Sequence, residues 1–137
     1  IVNLNNNEWG WTPLLWAAHR QDLDIMQFLI DNGANPLLQK ADGMGLLHIA
    51  ASNNDIHTID FSLQQKGIDI NGVNNEGWTA AHLAAFFNNF DSMNLLMEKG
   101  AQLSVKHKLG MNAYEEMVRN DHADLLECIW PSVLSHQ

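Results

Sequence analysis

Glycine recurs at positions 10, 43, 77 and 110, at intervals of 33, 34 and 33 residues. Each copy opens a related segment, clearest in Gly10-Trp11-Thr12-Pro13-Leu14-Leu15-Trp16-Ala17-Ala18. A fixed period of this length means that each unit is one supersecondary motif too small to bury its own apolar face. Such units stack into an elongated solenoid with a continuous core. Function in such a molecule belongs to an extended surface, not a cleft.

The chemistry of one unit predicts its parts. Thr12 is an N-cap and Pro13 sits at the first helical position, where its missing N–H costs nothing. Thr79-Ala80 and Asn112-Ala113 keep a capping side chain, whereas Gly45-Leu46 offers a weaker start. The pairs Ala17-Ala18, Ala50-Ala51 and Ala84-Ala85 let neighbouring helices approach closely. After a short polar break, Leu23, Met26, Phe28 and Leu29, and likewise Phe90, Met93, Leu95 and Leu96, have the spacing of a second helix. Gly33, Gly67 and Gly100 end those helices, and each stands ten residues before the next motif glycine. Ten residues suit an out-and-back finger, with Asp42-Gly43 and Asn74-Asn75-Glu76-Gly77 supplying turn chemistry at its tip. The second unit has one extra residue between Ala51 and Gly67, expected in the loop or helix start near Ile56 to Ile59.

These segments resemble the ankyrin repeat. Its pattern is matched by Gly10-Trp11-Thr12-Pro13-Leu14, Leu47-His48-Ile49-Ala50-Ala51, Gly77-Trp78-Thr79 with His82-Leu83-Ala84-Ala85, and Asn32-Gly33-Ala34-Asn35. The resemblance covers almost the whole chain. It implies an all-α solenoid of helix-turn-helix units joined by β-hairpin-like fingers. The single domain divides into repeats at about residues 1–33, 34–67, 68–100 and 101–130, with a tail at 131–137. It also implies that His48 and His82 tie adjacent fingers together through backbone hydrogen bonds. The fourth unit departs from the pattern, with Glu115 for His and Met117-Val118 for the alanine pair, so residues 111–130 are read as a C-terminal cap.

Seven Lys and Arg against 16 Asp and Glu, a net charge of −9, leave too few cations to neutralise a phosphate backbone, so nucleic acid is not an expected partner. The apolar runs are far shorter than the roughly 20 residues needed to cross a bilayer. The lone Cys128 has no internal disulfide partner, which suits a reducing, intracellular setting, and it is expected to pack on the apolar side of the last helix. His19, His57, His107, His122 and His136 show no metal-ligand spacing. Glu115-Glu116 and Asp121 to Asp124 are read as a solvated face. No nucleophile, base and orienting group share a location, so neither catalysis nor a cofactor or metal is expected.

The resemblance places the variable residues of the concave face at the finger tips and after the alanine pairs. These are Glu8, Trp9 and Trp11 with His19 and Arg20; Asp42 and Met44 with Ser52 and Asn53; Glu76 and Trp78 with Phe86 and Phe87; and Met111 with Arg119 and Asn120. Trp11, Met44, Trp78 and Met111 occupy one equivalent row. Trp, Met and Arg are enriched in interface cores and hot spots. The expected role is a non-enzymatic scaffold for a protein partner. Glu8, Asp42 and Glu76 favour a partner with basic residues. Two alternatives are a regulatory or anchoring segment of a larger enzyme or channel, with the contact made to another domain of the same polypeptide, and a structural subunit of a large assembly. Leu14, Leu15 and Trp16 lack a polar outer face, which suggests a preceding repeat covering Trp9 and Trp16.

Overall fold

Helices begin at the capping residues. The computed structural model describes residues 9–128. It contains α1 (Pro13–His19), α2 (Leu23–Asp31), α3 (Leu46–Ser52), α4 (Ile56–Leu63), α5 (Ala80–Phe86), α6 (Phe90–Glu98) and α7 (Ala113–Arg119). Residues 123–128 are also helical, and no strand occurs among the described residues. The Thr12 hydroxyl accepts from Leu15 N at 3.2 Å, that of Thr79 from His82 N at 3.2 Å, and Asn112 Oδ1 from Glu115 N at 2.9 Å. Each cap satisfies an N–H that the helix itself cannot.

Gly45 caps α3 without a side chain. Its backbone is extended (φ −103°, ψ −170°), and an added Cβ would have Gln39 and His48 as nearest neighbours, at 3.7 and 3.9 Å. A cleft of about 220 Å³, lined by residues including Leu46, His48, Gly67 and Asp69, lies alongside. Gly45→Thr is therefore expected to supply the bond that Thr12 and Thr79 make. It should stabilise the fold by about 0.5 kcal/mol, in part by restricting the unfolded chain, raising the thermal midpoint by about 2 °C.

Between the paired helices one residue adopts a left-handed conformation at the same place in every unit: Gln21 (φ 62°), Asn54 (53°), Asn88 (58°) and Asp121 (58°). Short polar side chains tolerate that conformation best, which suits Asn54, Asn88 and Asp121 to the position. Second helices end at glycine in the first and third units, where Ala34 N returns to Leu29 O and Ala101 N to Leu96 O, each at 2.9 Å. The extra residue of the second unit is not near Ile56 to Ile59. The Asp55 carboxylate accepts from Thr58 N at 3.2 Å and from the Thr58 hydroxyl, and this pair of hydrogen bonds fixes the start of α4 in register. The insertion is absorbed after Leu63, where Gln64, Gln65 and Lys66 precede Gly67.

The helices form two layers. α1, α3, α5 and α7 pack side by side through the small residues Ala17, Ala18, Ala50, Ala51, Ala84 and Ala85, all buried. α2, α4 and α6 lie behind them, anchored by the fully buried Met26, Ile59 and Met93. Leu23 and Phe90, at one equivalent position, are exposed because only one side of each outer helix meets the inner layer, and Phe28 in the first unit is exposed as well.

Each finger closes by the same two bonds. Gly43 N donates to Lys40 O and Lys40 N to Met44 O; Asn74 with Gly77 and Trp78, and His107 with Gly110 and Met111, repeat the arrangement. Fingers are tied tip to tip by Ala41 N to Trp9 O (2.8 Å), Asn75 N to Asp42 O (3.0 Å) and Lys108 N to Glu76 O (3.0 Å).

Candidate functional site: the concave aromatic face

The row of residues following the motif glycines is held from the unit before. His48 accepts from Gly45 N at Nδ1 (3.3 Å), so its single proton lies on Nε2, which donates to Trp78 O at 2.9 Å. His82 accepts from Thr79 N (3.1 Å) and donates to Met111 O at 3.0 Å. In the first unit Leu15 fills the equivalent slot and is buried.

Burial pushes His48 below the ordinary imidazole value of 6.5, against the backbone bonds to Trp78 and Gly72 and the charge of Asp42. His82 is lowered for the same reason; His107 adds to the effect, and Met111, Val105 and Glu116 oppose it. An imidazole whose folded value is depressed leaves the unfolded chain binding more protons below 6.5. Its contribution is complete above that pH and declines as the pH falls. The urea midpoint is expected to be flat above about pH 7 and to drop by about pH 5.5.

Two aromatic clusters emerge on this face. Trp11 and Trp16 stack with centroids 4.4 Å apart, and both meet His19 edge-on. Lys40 Nζ lies 5.2 Å above the Trp11 ring while pairing with Asp42 at 2.6 Å. In the third unit, Trp78 stacks on His107 (4.7 Å, 15°) and meets Phe86 edge-on at 5.5 Å. Phe86 meets Phe87 at 5.0 Å in turn. Phe86 is 38% and Phe87 50% exposed, so neither turns into the core.

A family model described as ankyrin repeats (3 copies) matches residues 1–71 and 22–107. The chain belongs to the ankyrin-repeat family. Ankyrin repeats are in general protein-binding modules. The chain is 28% identical over 123 residues to human transient receptor potential cation channel subfamily A member 1, covering 90% of this chain and 11% of the channel. It is 31% identical over 113 residues to a Lachancea kluyveri palmitoyltransferase, 80% of this chain and 15% of that protein. It is 27% identical over 132 residues to the chicken nuclear factor NF-kappa-B p105 subunit, 94% of this chain and 13% of that protein. The chain thus spans only a small part of the relatives it matches.

Within the ankyrin array the expected surface residues divide. Trp11 joins His19, and Trp78 joins Phe86 and Phe87. Trp9 (63%) and Arg20 are exposed beside the first cluster. Met44 and Met111 are half-buried, and Asn53 Nδ2 reaches His19 O at 3.4 Å, making it a tie between units. Ser52 donates to His48 O. Asp42 and Glu76 are both exposed at their finger tips, and Asp42 is partly neutralised by Lys40. Glu8 lies outside the described residues, as does the end of the C-terminal cap.

Two sequence readings are corrected. Glu116 is not on a solvated face: its side chain and that of His107 are both 0% exposed, and His107 Nε2 donates to Glu116 Oε1 at 2.7 Å. Asn120 Nδ2 donates to Glu116 Oε2 at 3.0 Å, and the half-exposed Arg119 lies 3.6 Å from Oε1. Glu116 occupies the position of Ile49 and Leu83, which is buried in the second and third units. A charged residue at that apolar position was the available signal. Cys128 is exposed rather than packed. Among the described residues no three His, Cys, Asp or Glu side chains could hold a metal, and no helix is long and apolar enough to cross a membrane.

Proposed function

We propose that this ankyrin array is a non-enzymatic scaffold whose concave face holds a segment of a protein partner. The observation that carries the reading is the exposed Phe86-Phe87 pair, backed by Trp78 and His107 and fixed to the next unit by His122 Nε2 donating to Phe86 O at 2.9 Å. Rigid aromatics of this kind bury area on binding without losing much conformational freedom. The cluster around Trp11, His19 and Arg20 gives the partner a second foothold, and Glu76 favours a basic residue near the first. Binding through that charge weakens as salt is added.

A second reading is supported by the small share of the channel and palmitoyltransferase relatives that the chain spans. Here the array regulates or anchors a larger protein, and the held segment belongs to the same polypeptide.

Both readings make Phe87 the residue to test, because Trp78 is also packed on His107 and its removal is expected to lower stability as well as binding. Phe87→Ala is expected to weaken partner binding about tenfold, from loss of roughly half a buried phenyl, with an unchanged thermal midpoint. Unchanged affinity, measured by titration calorimetry, contradicts the assignment.

A further inference from the structure

Three apolar side chains share the face of the first repeat that points away from the second. Trp16 is 46% exposed, Ile25 50% and Phe28 65%. The same places in later repeats are covered. Ile49 (4%) and Leu83 (8%) stand where Trp16 does, and Thr58 and Ser92, both 0%, stand where Ile25 does. For Ile49 and Ser92 the cover is the repeat before. Ile49 packs in a cluster with Leu14, Leu15 and Ala18, and Phe61, at the place of Phe28, packs against that cluster. Ser92 sends its N–H and hydroxyl to Asn54 Oδ1 in the preceding unit, at 3.0 and 2.8 Å. The geometry of the stack therefore makes these positions interface positions, and in the first repeat the described residues leave them partly open, Trp16 stacking on Trp11 and His19 of its own unit.

We propose that the face formed by Trp16, Ile25 and Phe28 is the seat of one further ankyrin-type repeat preceding the first. The proposal rests on continuity with the contacts already formed between repeats; it shares Trp16 with the aromatic cluster of the first unit, while Ile25 and Phe28 lie on α2, away from that cluster. The chemistry specifies the occupant. Ile25, where Ser92 takes an amide oxygen, calls for an apolar group in the facing loop. Trp16, larger than Ile49 or Leu83 and fixed by its stack on Trp11, calls for small residues opposite, as the alanine pairs provide. A second copy of this chain fits less well. Leading faces here meet trailing faces, and the trailing face of the fourth unit carries the branched Val118, 67% exposed, where Ala18, Ala51 and Ala85 are 0%. That side chain holds a neighbour further off than the repeats sit from one another. Several large apolar groups left together in water are unusual for a surface without a partner.

Hydroxyl-radical footprinting of the isolated chain and of the full natural polypeptide containing it tests the proposal. Trp16 and Phe28 are expected to label readily in the isolated chain at every concentration and to be protected severalfold in the full polypeptide. Equal labelling in both overturns the proposal, as does a natural polypeptide with no repeat ahead of this one. Protection that grows with the concentration of the isolated chain, and is lost with dimer mass in Phe28→Glu, also overturns it and assigns the face to a second copy.

Discussion

His107→Ala is expected to lower the unfolding free energy by about 3 kcal/mol, the size associated with removing one partner of a buried ionic or hydrogen-bonded pair. The Glu116 carboxylate would keep Asn120 and a more distant Arg119 but lose its shortest donor, deep in the array. His107 Nδ1 also accepts from Leu109 N at 3.0 Å, so the fourth finger loses an internal tie in the same change. Trp78 loses the ring on which it stacks. Glu116→Gln keeps the shape and an acceptor for His107, and its cost should be smaller, about 1 kcal/mol. Urea denaturation of the two variants measures both values. Equal costs would mean that the carboxylate charge, rather than the pairing geometry, governs this site.

The second large effect is expected at a finger tip. Gly43 has φ +84°, and a Cβ there would stand 2.6 Å from Asn75 N and 2.5 Å from Asn75 Oδ1. That is the place where Asn75 N donates to Asp42 O and Asn75 Nδ2 to Ala41 O. Gly43→Ala therefore adds backbone strain and forces two fingers apart, at a combined cost of about 3 kcal/mol. Gly110 has nearly the same torsion, φ +86°, but a Cβ there would meet nothing within 4 Å. Gly110→Ala should carry only the conformational part, about 1 kcal/mol. The difference between the two midpoints isolates the contribution of close finger packing. If both variants unfold alike, that packing contributes nothing measurable.

Local chemistry made the architecture legible. Thr12, Thr79 and Asn112 set helix starts that any cap preference identifies, and the glycine intervals set the stacking. The position of the extra residue was less legible, because length alone does not say which end of a helix yields. The Asp55–Thr58 bonds decided it. The aromatic residues of the third unit could be placed on one face by repeat equivalence, yet their mutual stacking, and the use of Trp78 as a structural ring, depend on where His107 arrives from the next finger. Glu116 was misread because its neighbour Glu115 and the adjacent acids suggest solvent, whereas burial is fixed by its place in the stack. Helical spacing placed Phe28 and Phe90 on second helices without showing their surroundings: Phe90 shares an outward-facing position with Leu23 and Ile56, whereas Phe28 stands where Phe61 packs against the core of the unit before.

Hydrogen exchange on the chain alone and bound to its partner tests the central claim most directly. The account predicts added protection along the concave face, in the finger of the third unit around Trp78 and at the end of α5 through Phe87, with little change in α2, α4 and α6. Protection confined to those outer helices, with the Trp78 finger and the end of α5 unchanged, would contradict it.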